Sequence, residues 1–290
     1  MPPDILHKIT RAKPLLGTLV EIRAELDESD AANAAIDRGF AAVTEIHRLM
    51  SFHEHASDVS RLNREAAAQT VTVDPRTFEV LCRALEFSAR SDGLFDITAG
   101  ARLVTWGFLP APAGAPSPSD GSWKDIVLED RNRVRFRKPL WIDLGGIAKG
   151  FAVDQAVAAM GLTNDVQVYV NAGGDLRVAG PHAESVRLRT MIEMDTVPVI
   201  EIEDGALASS SGREHLKSFQ DGLVGPHVGR RGTSVGADSF VSVAAPDCLT
   251  ADALTKVVLG AGPDAEPVLG HFGAIAYFYA PGAGWVTLGA

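Results

Sequence analysis

The sequence predicts an α+β fold. Three observations carry that reading. Short runs rich in β-branched and apolar residues recur along the chain, single amphipathic helical stretches interrupt them, and the two never settle into a regular βα alternation. No repeat of short period is visible. With 290 residues and 46% hydrophobic content, the chain can bury a substantial core. It reads as one domain over residues 1–290, made of two halves.

Leu15–Ala24 (LLGTLVEIRA) predicts the first strand. From Ser29 to Met50 the pattern turns helical, with Ile36, Phe40, Val43, His47 and Met50 on one face. His47 is therefore expected in the core. Pro75–Ser91 predicts a second helix, with proline in its first turn, Phe78, Leu81, Leu85 and Ser88/Ala89 as its stripe, and Asp92-Gly93 as its stop. Pro110–Ser122 is dense in Pro, Gly, Ala and Ser and reads as an exposed loop. Strands are expected at Ile126–Leu128, Val134–Phe136 and Leu140–Leu144, then a helix over Lys149–Met160 and a strand over Val166–Asn171. The second half continues with strands at Ser185–Met191, Pro198–Ile202 and Phe240–Ala244 and a helix over Thr250–Leu259. On that last helix Thr250 reads as N-cap, and Asp252 as a first-turn acid that complements the dipole.

A formal net charge of −10 makes the chain a poor general binder of nucleic acid or of an anionic membrane; an anionic ligand needs a local cationic site. The two cysteines, Cys82 and Cys248, form neither a disulfide framework nor a metal cluster and read as small buried hydrophobes. No stretch approaches the roughly 20 apolar residues of a membrane helix, and the N-terminus has no basic-then-apolar leader. A cytoplasmic protein is expected.

The stretch most loaded with chemistry is DLGGIAKGFAVD, Asp143–Asp154. Asp143 falls at an expected strand end. Gly145 and Gly146 let a ligand approach the main chain, the following helix offers free N–H groups, and Lys149 adds a full positive charge there. Such a set suits a nucleotide, with the carboxylate on a base or ribose and the helix start on phosphate. It also suits a plain strand-to-helix turn with a salt-bridged lysine. It matches neither the Walker loop nor the dinucleotide fingerprint. Other marked stretches are GLFDITAGARLVTWGF (93–108), VNAGGDLRVAG (170–180), ALASSSGREH (206–215), TADALTKVVLG (250–260) and the basic glycine loop GPHVGRRG (225–232), whose arginines at 230 and 231 could dock an acidic partner or simply face water.

In this order, Gly17-Thr18, Met50-Ser51, Ser57–Asn63 (SDVSRLN), Gly93–Thr98 (GLFDIT), Trp106–Phe108 (WGF), Asp143–Gly150 with Asp154, Asn171–Asp175 (NAGGD), Ser211-Gly212 and Ala251–Leu254 (ADAL) resemble the ApbE family, the FAD:protein FMN transferases. Each piece is weak alone; the ordered set spans nearly the whole chain.

The resemblance implies antiparallel-rich sheets with packed helices and an FAD cleft between the two halves. It implies that FAD contacts Met50, Leu94, Phe95, Asp96, Asp143, Lys149 and Val224. A magnesium ion on the pyrophosphate would be held at Gly146, Asp252 and Thr255. FAD would be split, FMN passed to a Thr or Ser hydroxyl of an acceptor protein, and AMP released. Magnesium is a hard ion suited to such carboxylate and carbonyl oxygens, and charge neutralisation is what a phosphoryl transfer needs.

Two departures stand out. The family histidine position holds Gly222 and the aspartate three residues on, in an Ile-x-Asp-Pro pattern, aligns with Gly225, which leaves His227, Asp221 and Lys256 as catalytic candidates. The residue four positions after Asp252 is Lys256, with Thr255 one place early. Residues i and i+4 share a helical face, so the Lys256 ammonium is expected to crowd the metal position and pair with Asp252; alternatively it reaches solvent and Thr255 fills in. Two functional readings follow: a flavin transferase with a substitute base, or an FAD-binding protein or weak FAD pyrophosphatase that has lost transfer.

Overall fold

A computed structural model describes residues 7–163, 166–188, 197–213, 215–220, 222–229, 233–235, 238–280, 282 and 284–289. The first half contains β1 (His7–Leu15), β2 (Thr18–Leu26), α1 (Ser29–Met50), α2 (Asp58–Glu65), β3 (Val71–Thr72), α3 (Pro75–Arg90), α4 (Gly100–Thr105), β4 (Ile126–Glu129) and β5 (Arg133–Phe136). There follow α5 (Ala148–Met160), β6 (Gln167–Ala172), β7 (Asp175–Ala179), β8 (Glu184–Arg187), β9 (Val199–Ile202), β10 (Gly205–Ser211), β11 (Lys217–Phe219) and β12 (Gly222–Val224). The chain closes with β13 (Phe240–Ala245), α6 (Cys248–Ala261), α7 (Glu266–His271), β14 (Ile275–Ala280) and β15 (Gly284–Leu288).

The α+β class holds. An eight-stranded sheet runs β1-β2-β6-β7-β10-β13-β14-β15, every neighbouring pair antiparallel. Helices α1, α5 and α6 pack on one face. The period of two decides which side chains meet them. Val168, Val170 and Ala172 of β6, with Ala206 and Ala208 of β10, join the helices in the main core. Leu176, Val178, Leu207 and Phe240 point the other way and are covered by Ile200 and Ile202 of the β8–β9 hairpin. The small sheet β3-β5-β4 adds Val71, Ile126, Val134 and Phe136 to the main core.

Several sequence expectations need correction. Leu15–Ala24 is not one strand: it spans a hairpin. Leu16 and Gly17 both take positive φ, 55° and 74°, the two-residue turn that matches strand twist. The α1 range agrees with expectation, but His47 is not a core residue; its side chain is 40% exposed and lies 4.0 Å from Glu54. The apolar stripe runs instead through Ile36, Phe40, Val43, Ile46, Leu49 and Met50. In α3 the buried face is Thr77, Val80, Leu81, Ala84, Phe87 and Ser88, which leaves Phe78 and Leu85 only partly covered. Cys82 is exposed, and only Cys248 is buried. The cap of α6 is Asp247, whose carboxylate accepts from Thr250 N at 2.7 Å. Asp252 therefore sits in the second turn and has no dipole role.

Leu140–Leu144 belongs to no strand. Leu140, Ile142 and Leu144 are buried, but a side-chain amide, not a neighbouring strand, satisfies the backbone of Ile142. Asn63 Oδ1 accepts from Ile142 N at 2.7 Å, and Asn63 Nδ2 donates to Ile142 O at 3.0 Å. Asp143 N donates to Ile97 O at 2.8 Å. Gly205–Ser211, where no strand was expected, is a central strand, and α2 was not anticipated. The strand expected at Ser185–Met191 is β8, described as far as Arg187; residues 189–196 lie outside the described residues.

Candidate functional site

The N-terminal ends of α5 and α6 are brought together by one glycine and two carboxylates. A Cβ on Gly150 would fall onto the Cys248 carbonyl carbon at 2.6 Å and the Asp252 Cβ at 2.8 Å. Only hydrogen fits there. The Gly150 amide donates to Asp252 Oδ2 at 3.0 Å. One helical turn on, the Asp154 carboxylate accepts from Cys248 N at 2.9 Å and Leu249 N at 2.8 Å, satisfying orphan donors at the start of α6.

Two ion pairs line up beside this crossing. Lys149 pairs with Asp175 at the start of β7, and Lys256 pairs with Asp252. Asp252 and Asp175 are buried. Burial works to raise Asp252, yet the Lys256 and Lys149 charges win and hold it below the usual carboxylate range. Burial also opposes the charge on Lys149, and Asp175 and Asp252 outweigh it and raise its pKa. Lys149 and Asp252 therefore stay charged. Burial and the neighbouring Asp252 charge push Asp175 upward, against the pull of Lys149. Its Oδ1 has no hydrogen-bond partner among the described residues.

Both ammonium groups line a cleft of about 1350 Å³. Residues from both halves of the chain form its wall: Thr18, Leu94, Phe95, Asp96, Asp143, Gly145, Gly146, Gly173, Ser209, Ser210, His227 and Gly229. Phe95 is held edge-on against Phe87, with ring centroids 5.8 Å apart. Asp96 is already engaged, accepting from Thr98 N at 2.9 Å, Thr98 Oγ1 at 2.8 Å and Trp123 N at 3.3 Å. Burial pushes Asp143 up to about 6, against the Gly145 and Leu144 amides and the charge of His53. Burial pushes His227 down to about 3, with the Lys256 and Lys149 charges adding to the effect, so its imidazole is neutral.

The structure thus gathers Leu94, Phe95, Asp96, Asp143, Gly146, Lys149, His227 and Lys256 at one cleft. It does not bring Met50 there; that side chain is packed in the main core. Val224 lies on β12 and is not among the cleft-lining residues. Asp221 lies outside the described residues, as do the arginines at 230 and 231. Gly222 is exposed, with nothing within 4 Å of where a Cβ would be. Asn63, Asp154 and Asp175 support the site without having been assigned roles from sequence. The Gly150/Asp154 spacing, one helical turn, was the signal available for the second of these.

Magnesium demands near-octahedral oxygen ligation. Asp252 gives one oxygen to Lys256 and the other to the Gly150 amide. The Thr255 hydroxyl donates to Asp252 O at 2.7 Å and shares a 2.8 Å hydrogen bond with Ser210 Oγ. Among the described residues, no three His, Cys, Asp or Glu converge on a metal position. Among the described residues, Asp175 Oδ1 is the one buried carboxylate oxygen left without a partner, and a single oxygen is not a magnesium site. As arranged, these residues do not fit the ion.

No helix among the described residues is long and apolar enough to cross a membrane. The pattern that defines the ApbE family matches residues 16–276. A protein of Vibrio cholerae named FAD:protein FMN transferase is 27% identical over 274 residues, covering 87% of this chain and 80% of the relative. One of the same name from Chlamydia trachomatis is 30% identical over 248 residues, covering 80% and 76%. The crystal structure of an ApbE protein from Thermotoga maritima superposes with a TM-score of 0.81 at 26% identity, covering 97% of this chain and 96% of that one.

Proposed function

The chain belongs to the ApbE family, and we propose that it transfers the FMN half of FAD to a serine or threonine hydroxyl of an acceptor protein, releasing AMP. The acceptor oxygen would bond to the flavin-side phosphorus while the bond from that phosphorus to the bridging oxygen breaks. AMP leaves with the electron pair, and the hydroxyl proton passes to a base. The observation that carries this reading is the pair of ammonium groups, Lys149 and Lys256, anchored on buried carboxylates along one cleft beside Gly145 and Gly146. A pyrophosphate lying there meets fixed positive charge, which is the chief demand of phosphoryl transfer. Neutral His227 is the candidate proton acceptor among the described residues. Magnesium, the ion the resemblance implies, finds Asp252 already taken by Lys256.

Incubation with FAD and a Ser/Thr acceptor domain tests the reading. Expected are AMP in solution and a covalent flavin on the acceptor by mass. FMN and AMP together, with no flavinylated acceptor across a panel of such domains, would favour hydrolysis. That second reading draws on Gly222, which puts no imidazole where the family has one.

Asp143 gives this site a pH signature. Its raised value, about 6, makes it anionic above that pH and neutral below. Hydrogen bonds from a nucleotide to a charged acceptor are about twice as strong as to a neutral one. FAD affinity is therefore expected to fall about fivefold between pH 7.5 and pH 5, a loss on the order of 1 kcal/mol. The Asp143→Asn variant should show a flat profile; a profile unchanged by that substitution would remove Asp143 from the site. The sign for folding is opposite. A carboxylate whose folded value lies above its unfolded 3.8 makes the apo protein less stable as pH rises between the two.

A further inference from the structure

We propose that the Lys256 ammonium is the built-in cation of the pyrophosphate subsite, standing where a divalent metal would otherwise sit, so that this chain holds FAD without magnesium. The inference rests on the flavin reading above and deepens it. Its basis is geometric. Lys256 Nζ donates to Asp252 Oδ1 and, at 3.1 Å, to the Asp252 carbonyl. An ammonium has three N–H donors, so one is left for a ligand in the cleft that Lys256 lines. The lysine does not reach out to solvent: its side chain is 16% exposed. Its stem runs under the glycine turn, with Cε 3.5 Å and Cγ 3.7 Å from where a Cβ on Gly146 would lie. The ammonium is therefore placed between Asp252, Gly146 and the cleft, a position set by backbone on one side and a buried carboxylate on the other.

Charge argues the same way. A dication arriving at Asp252 would meet the Lys256 charge a few ångströms away, with the Lys149 charge close enough to act on Asp252 as well. Like charges at such separation repel strongly in a poorly screened site. It would also have to break the Asp252 ion pair, and a buried charge stripped of its partner is costly. Lysine is a point charge suited to phosphate contacts, and fixed in advance it loses little freedom on binding.

The test begins with manganese, a spectroscopic stand-in for magnesium, titrated into the apo protein and followed by electron paramagnetic resonance. The wild type should show no saturable site that Asp252→Asn abolishes. Lys256→Thr, which frees Asp252 and supplies a hydroxyl, should gain one. FAD binding is then measured by fluorescence quenching in EDTA and in magnesium. Wild-type affinity should be the same in both. In Lys256→Thr it should drop about tenfold in EDTA, a loss of about 1.4 kcal/mol, and recover with magnesium. Two results would overturn the proposal: an Asp252-dependent manganese site in the wild type, or FAD binding by the wild type that collapses in EDTA. Both are read on the wild type, so a Lys256→Thr chain that fails to fold does not shield the idea. A wild type that ignores FAD under both conditions would sink the flavin reading, while the manganese titration still decides between ammonium and metal.

Discussion

Gly150→Ala should destabilise the apo protein by more than about 3 kcal/mol, the upper end of overpacking effects. The added methyl would land on the Cys248 carbonyl and the Asp252 Cβ. Neither can retreat, because the first is backbone at the start of a helix and the second belongs to a buried residue. Relief requires α5 and α6 to separate. That would stretch the Gly150–Asp252 hydrogen bond and the two that Asp154 accepts from Cys248 and Leu249. A thermal melt should fall by roughly 6–10 °C for a chain of this size, or the variant should be insoluble. A melt within about 2 °C of wild type would show that the crossing is looser than described. The same separation would pull Lys149 and Lys256 out of register, so FAD binding should weaken even where the variant folds.

The second large effect is expected at Asn63, far from the cleft in sequence. Asn63→Ala removes both partners of Ile142 at once. Ile142 is buried, so its N–H and C=O are left without water or protein to bond. Each orphan costs about 1–3 kcal/mol, so a loss of about 3 kcal/mol is expected by urea unfolding. Asp143 follows directly on Ile142 and loses its fixed position, so FAD affinity should drop about tenfold, or about 1.4 kcal/mol. Asn63→Asp is the sharper variant. It keeps an acceptor for the Ile142 amide but sets a carboxylate oxygen against the Ile142 carbonyl. It should be no more stable than the alanine variant. If it matched wild type, the bracket would not be what holds this segment.

How much of this was legible beforehand varied with the source of order. Helix α1 was readable to the residue because its apolar period persists through 22 positions. Helices α5 and α6 were readable to within two residues, although most of each is apolar or small and little periodic contrast marks a face. His47 shows the limit: one polar side chain on an apolar face can lean outward to an acid such as Glu54. Leu140–Leu144 misled because an apolar run reports burial and says nothing of where the backbone bonds go; here they go to Asn63. Strand β10, GALASSS, carries little strand propensity and is a strand because β7 and β13 flank it. The first strand was hidden by its own exposure, since the HKITRAKPL of β1 buries almost nothing.

Of the candidate site, Asp143 and Lys149 could be reached from the residues themselves, because they flank one local glycine turn, and the Lys256–Asp252 pairing from the resemblance together with an i, i+4 step. Asp175 and Asn63 could not, since each pairs across a long separation, Asp175 with Lys149 and Asn63 with Ile142. Met50 illustrates the reverse case. It belongs to one of the resemblance motifs, Met50-Ser51, but its side chain is held in the core.

The order of strands across the large sheet, from β1 to β15, is also the order in which a ribosome would release them. Each new strand docks on one already made, with a single long wait. Strand β2 ends at Leu26, and its next neighbour, β6, begins only at Gln167. At translation rates of about 5–20 residues per second, β2 has an open edge for on the order of ten seconds. Its row of bare amides and carbonyls is then available to any passing strand. Glu21, Arg23 and Glu25 alternate along it with Val20, Ile22 and Ala24. These charges deter edge-to-edge pairing during that interval, and neutralising them should show first as aggregation of nascent chains, before any change in the finished protein.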